Sequence, residues 1–100
     1  MVKIEVTVRK DKFDELYKAL EVSGIGGMTA VEARGFGHHR NGLQENVRID
    51  IYADASQVEA IVEMIRNAVR GQVSGDGRIA ILPLENVYRI RTGEEGVAAL

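Results

Sequence analysis

Cysteine and tryptophan are both missing from this chain, and Pro83 is its single proline. Without cysteine there is no disulfide to staple the fold, no thiolate for zinc and no thiol nucleophile. That absence fits a cytoplasmic protein. No apolar run approaches the roughly 18 residues of a membrane span, so membrane insertion is not expected. The opening Met1-Val2-Lys3-Ile4-Glu5 alternates instead of clustering apolar residues, which argues against a signal peptide. A formal net charge of -2 supplies no global field for holding nucleic acid. No serine–histidine–acid set at usable spacing and no Walker-type phosphate loop is present, and Glu45, Asp50 and Asp76 have no partner carboxylate, so the chain does not read as an enzyme. What remains is 100 residues, 45% hydrophobic and 28% charged, enough for one domain over 1–100 around one compact core.

Val2, Ile4, Val6 and Val8 alternate with charged and polar residues, the pattern of a half-buried strand. Phe13, Leu16, Tyr17 and Leu20 recur at helical spacing, with Asp11 placed to cap the helix and Gly24 to end it. Alternation returns from Thr29 to Gly35 and again through Val47, Ile49 and Ile51. Ser56-Gln57-Val58-Glu59 reads as a capping box. It opens a helix whose apolar stripe is Val58, Ile61, Val62, Ile65, Ala68 and Val69, with Gly71 as its stop. A fourth strand is expected from Arg78 to Leu84, ending at Pro83 or lying on an edge, and Val87 to Arg91 is a candidate for a short fifth.

The order strand-helix-strand-strand-helix-strand predicts an α+β, ferredoxin-like βαββαβ fold, an antiparallel sheet with two helices on one face. The other face would carry Lys3, Glu5, Glu32, Arg34, Arg48 and Asp50, either as a solvated surface or as a surface that meets partner subunits through paired charges. Burying Val31 and Ala33 beside Ile49 and Ile51 requires odd positions to face odd positions. A two-residue Asn41-Gly42 turn would break that match. A three-residue Arg40-Asn41-Gly42 turn with Gly42 in the left-handed position, or a bulge near Gly35 or Gly37, would keep it.

Several short segments carry binding chemistry in combination. Gly75-Asp76-Gly77 alone is most simply a tight turn, and Arg89 with Arg91 alone is most simply a solvated pair on one strand face. Glycines nevertheless let backbone N–H groups approach an anion, and arginine offers a planar fork to phosphate oxygens. Together with Gly27-Met28-Thr29, Gly35-Phe36-Gly37, the run Gly77-Arg78-Ile79 and Val87-Tyr88-Arg89-Ile90-Arg91-Thr92-Gly93-Glu94-Glu95, these segments make the chain resemble the PII nitrogen-regulatory signalling family over nearly its whole length. The resemblance implies a homotrimer that binds ATP, ADP or AMP in clefts between subunits and regulates a transporter or an enzyme. It places Thr29 and the Gly35-Phe36-Gly37 backbone, continuing into His38, on one wall. Gly75, Asp76 and Gly77 would supply backbone donors near the phosphates, with Arg78 where the family usually has lysine. Arg89 and Arg91 would reach the phosphates from the other side, and Asp50 would stand near the adenine end.

The departures are equally specific. His38 and His39 replace the family's usual arginine and glutamine after the Gly-Phe-Gly run. Neutral imidazole is a poorer phosphate partner than guanidinium, so a weaker γ-phosphate contact and no 2-oxoglutarate site of the usual kind are expected. Ten residues separate Gly37 from Arg48, none of them tyrosine. The family's long effector loop and its uridylylation site therefore have no counterpart. Two other readings follow. One is a nucleotide-free trimeric scaffold, degenerate or loop-trimmed. The other is a PII-like regulator of a different small ligand, such as bicarbonate or a metal ion, near His38, His39 and Arg40. Adjacent strand residues point to opposite faces, so the two histidines of one subunit would not share an ion.

Overall fold

In a computed structural model of the chain, residues 1–37, 42–70 and 77–100 are described. Strand β1 spans Val2–Arg9, and helix α1 spans Phe13–Glu21 after a 3-10 turn at Lys10–Lys12. Strands β2 (Thr29–Gly35) and β3 (Gln44–Ala53) follow, then helix α2 (Val58–Val69) and strand β4 (Arg78–Pro83). The four strands form one antiparallel sheet in the order β2-β3-β1-β4. This is the expected split βαβ arrangement.

The two central strands set the core. Ile4, Val6 and Val8 of β1 stand directly opposite Ile51, Ile49 and Val47 of β3. All six are buried against Leu16 and Leu20 of α1 and Ile61, Ile65 and Val69 of α2. Each fully buried aliphatic side chain contributes about 1.5–3 kcal/mol relative to exposure, so this face fixes the β1–β3 register. β4 lies at one edge and ends at Pro83, which lacks the N–H that further pairing on that strand would need.

At the other edge the structure corrects the expected register. Val31 faces Arg48 and Ala33 faces Asn46, while Glu32 faces Val47 and Arg34 faces Glu45. Odd positions of β2 thus stand opposite even positions of β3. Val31 and Ala33 lie on the sheet face away from the helices, and Glu32 and Arg34 lie on the helix side. The reason is the position of β2, whose side chains are at most half-buried on either face. An edge strand without a burial gradient has its register set by the backbone connection instead of by hydrophobic alternation. Glu32 meets Lys10 at 3.7 Å on the helix side. The last ladder pair is Gly35 with Gln44, which leaves the eight residues 36–43 between the strands. Gly42 has φ +75°, the left-handed conformation expected of it, whereas Arg40 and Asn41 lie outside the described residues.

Three local expectations also shift. Asp11 does not cap α1; its carboxylate pairs with the Arg9 guanidinium at 3.0 Å inside the 3-10 turn. The capping box lies two residues earlier than Ser56. The Asp54 N–H donates to Gln57 Oε1 at 3.0 Å, and Asp54 is the cap of the turn that leads into α2. Val87–Arg91 is not a strand; Tyr88 and Glu95 form an isolated bridge. As expected, Gly24 follows α1 in the left-handed conformation, φ +83°. The stop proposed at Gly71 lies outside the described residues. Asp54→Ala is expected to cost about 1 kcal/mol, which lowers the melting temperature by roughly 4–8 °C in a domain of this size. Ser56→Ala should cost less, and a thermal melt showing the reverse order would return the cap to Ser56.

Candidate functional site

The sheet face away from the helices is built from the alternate positions that the core does not use. One row across it reads Thr29, Asp50, Glu5, Ala80, and the next reads Val31, Arg48, Thr7, Arg78. Thr29 and Asp50, both candidate ligand contacts, are therefore direct cross-strand neighbours. Asp50 is already engaged, however. Its Oδ1 lies 3.8 Å from Lys3 Nζ and 3.6 Å from Arg48 Nε, and Lys3 Nζ also lies 3.1 Å from Glu5 Oε1. The two separations at Asp50 are ion-pair distances beyond hydrogen-bond range, and its Oδ1 is enclosed without a hydrogen-bond donor. The Asp50 side chain is 19% exposed. Lys3 and Arg48 with Glu5 and Asp50 form one linked ion-pair group on this face, Arg78 lies on it beyond that group, and Val31, Tyr52 and Leu82 are exposed around them.

Gly35, Phe36 and Gly37 leave the end of β2, and Gly77 and Arg78 begin β4. Both groups stand at the same end of the sheet, since Thr7 pairs with Arg78 on one side and with Arg48 on the other. They nevertheless occupy opposite edges, three strand spacings or about 14 Å apart across β3 and β1. Gly37 has open space where a side chain would go. Gly77 is the reverse case. It has φ +116°, and a Cβ there would overlap the Thr7 carbonyl oxygen. Only glycine lets the chain turn into β4 so close to β1. His38, Gly75 and Asp76 lie outside the described residues.

Arg89 and Arg91 belong to a hydrogen-bonded arm that starts where β4 ends. Leu84 N donates to Met1 O at 3.1 Å. The arm then closes on itself through Gly96 N to Val87 O (3.0 Å), Arg89 N to Glu94 O (2.8 Å) and Gly93 N to Arg89 O (2.9 Å). Asn86 Oδ1 accepts from both Val87 N (2.8 Å) and Gly96 N (3.0 Å) and locks its base. Ile90 projects fully exposed from the arm. The Arg89 Nη2 donates to the main-chain oxygen of Leu100 at 3.1 Å. Leu100 in turn sits against Gly26, ahead of β2. Arg89 is thus at the end of the sheet opposite Gly35 and Gly77.

The candidate residues therefore fall into separate groups: Thr29 with Asp50 on the sheet face, Gly35–Gly37 at one edge, Gly77 and Arg78 at the other, and Arg89 with Arg91 on the arm. Near Gly77 and Arg78 runs a groove of about 480 Å³ between α2 and β4, which also collects Arg66 and Arg70. Sequence reading passed over these two arginines. The available signal was their place at the end of α2, where cations complement the helix dipole. A second groove, about 440 Å³, lies along the β2–β3 ladder beside Lys10, Glu32, Arg34 and Glu45 and contains none of the candidate ligand residues. Among the described residues no cluster of three or more His, Asp or Glu side chains could hold a metal, and no helix is long and apolar enough to cross a membrane.

This small α+β fold is shared with a family of regulatory proteins. The family model for nitrogen regulatory protein P-II matches residues 1–94. The chain is 38% identical to the nitrogen regulatory protein P-II of Nostoc punctiforme and 35% identical to that of Rhizobium meliloti, in both cases over the full length of both chains. A crystal structure of Arabidopsis thaliana PII bound to citrate superposes with a TM-score of 0.88 at 35% identity, covering 99% of this chain and 91% of that one. The chain belongs to the nitrogen regulatory protein P-II family, whose members are regulatory signalling proteins and not enzymes.

Proposed function

We propose that this protein is a cytoplasmic homotrimeric regulator that binds an adenine nucleotide (ADP, ATP or AMP) in clefts between copies and regulates a transporter or an enzyme without a long effector loop. The observation that carries this reading is the separation of Gly35–Gly37 from Gly77–Arg78. They share one end of the sheet but lie on its opposite edges, so a ligand touching both walls must sit between the β2 edge of one copy and the β4 edge of the next. Cyclic head-to-tail contacts bring such edges together. The ion-paired Lys3, Glu5, Arg48 and Asp50 group, with the exposed Val31, Tyr52 and Leu82 beside it, supports assembly, because a balanced charge set is easier to bury than a single-sign patch. A shortened β2–β3 connection also agrees with the overall length of the alignments. They span 112 positions against 100 residues, so twelve positions have no residue here.

Within this reading, Gly77 and Arg78 approach the phosphates from one copy and Gly35–Gly37 from another, and the arm arginines, which stand at the far end of the sheet from these glycines in their own copy, reach the cleft from across the subunit contact. Asp50 is a less direct contact than the family resemblance implied, since Lys3 and Arg48 already hold it. Calorimetric titration with ADP, ATP and AMP, with and without magnesium, tests the proposal. One nucleotide per subunit is expected, with ATP gaining little over ADP. Absence of heat with all three at millimolar concentration would leave the nucleotide-free scaffold. A second reading is that the cationic elements take a polycarboxylate. It is favoured by the citrate bound to the Arabidopsis protein and by the arginines beside Gly77. Citrate that competes with ADP would place the two in one site.

A further inference from the structure

We infer that Leu100 and Gly26 are positioning residues for Arg89, fixing the direction of its guanidinium before any ligand arrives; this deepens the reading of Arg89 as a phosphate contact and rests on it. Arg89 Nη2 donates to the Leu100 main-chain oxygen at 3.1 Å. That oxygen belongs to a constrained turn. Gly96–Ala99 is a 3-10 turn, Ala99 is buried, and Leu100 N donates to Val97 O at 3.1 Å. On its other side Leu100 abuts Gly26, where an added Cβ would stand 3.3 Å from the Leu100 carbonyl carbon. The Arg89 backbone is held as well, through Glu94 O and Gly93 N.

A guanidinium carries five N–H donors in a rigid fork. One is used on Leu100, and no other partner of this side chain lies among the described residues. The remaining donors keep a fixed orientation and stay open to an anion. A long arginine side chain loses rotamer freedom when it binds a ligand, and a contact that removes that freedom beforehand increases affinity without touching the ligand. Arg91, two residues on, has no such anchor among the described residues. The two arginines therefore differ: Arg89 is preset and Arg91 is recruited.

The test is a double-mutant cycle on ADP affinity. Gly26→Val pushes on Leu100 without backbone strain, because Gly26 is not in the left-handed region, and Gly26→Ala is the milder version if valine unsettles the turn. Gly26→Val is expected to weaken ADP binding about five- to tenfold in the wild-type background and to add nothing once Arg89→Ala is present, whereas with Arg91→Ala its effect adds in full. An effect of Gly26→Val that adds fully to that of Arg89→Ala overturns the inference while leaving the nucleotide reading intact. If wild-type protein binds no adenine nucleotide, both fall. Hydrogen exchange then decides whether the contact itself exists: Arg89→Ala should speed exchange at the Leu100 amide and Arg91→Ala should not, and equal rates would remove the contact from the account.

Discussion

Replacing Gly77 with valine is expected to lower the melting temperature by more than about 10 °C. Two costs combine. A side chain at φ +116° is held outside the regions open to L-residues, a strain of about 1–3 kcal/mol. The Cβ would also overlap the Thr7 carbonyl oxygen, which belongs to a central strand and has no room to retreat. The first pair of the β1–β4 ladder, Thr7 with Arg78, must then open. A total of about 3 kcal/mol corresponds to roughly 12–24 °C in a domain of 60–100 residues. Gly37→Val is the control. Gly37 has no left-handed φ and no heavy atom within 4 Å of a built Cβ, so its stability should change by no more than about 0.5 kcal/mol. Equal melting of the two variants would show that the close approach of Gly77 to β1 does not exist in solution.

The second large effect is on ligand binding. Arg89→Ala and Arg91→Ala are each expected to weaken ADP binding about ten- to a hundredfold, because a hydrogen bond to a charged group contributes about 1.5–3 kcal/mol. Both side chains are exposed on an arm held by its own hydrogen bonds, so melting temperatures should stay near wild type. The binding loss should also shrink as salt rises, since exposed charges are screened over about 10 Å at 0.1 M. An unchanged ADP affinity in the double variant would remove the arm from the site.

Most of the fold was legible because the core strands alternate cleanly. Ile4, Val6 and Val8 can only face Ile51, Ile49 and Val47 if one sheet face is covered by two amphipathic helices. The β2 register was not legible for the same reason in reverse. Val31 looked like a core residue, yet an edge strand outside the helical cover buries neither face, and backbone geometry chose the parity. The cap of α2 was ambiguous because Asp54-Ala55-Ser56-Gln57 and Ser56-Gln57-Val58-Glu59 satisfy the same pattern. Only the Asp54–Gln57 hydrogen bond separates them. Of the candidate site, the residue types were readable and their arrangement was not. Alternation at Val87–Arg91 suggested a strand, whereas Asn86 bonds to Val87 and Gly96 fold the segment into an arm. The anchoring of Arg89 by Leu100 depends on a main-chain oxygen, which no residue pattern announces.

Subunit mixing tests the central claim, a cleft shared between copies, most directly. Gly37→Val damages only the β2 wall and Arg78→Ala only the β4 wall, so each protein alone should bind ADP weakly. After the two are unfolded and refolded together, roughly a quarter of the clefts in randomly mixed trimers would combine two intact walls. Calorimetry should then recover wild-type affinity at about that fraction of sites. Wild-type protein that binds ADP, with no recovery in the mixture, would place the ligand within a single copy and contradict the account.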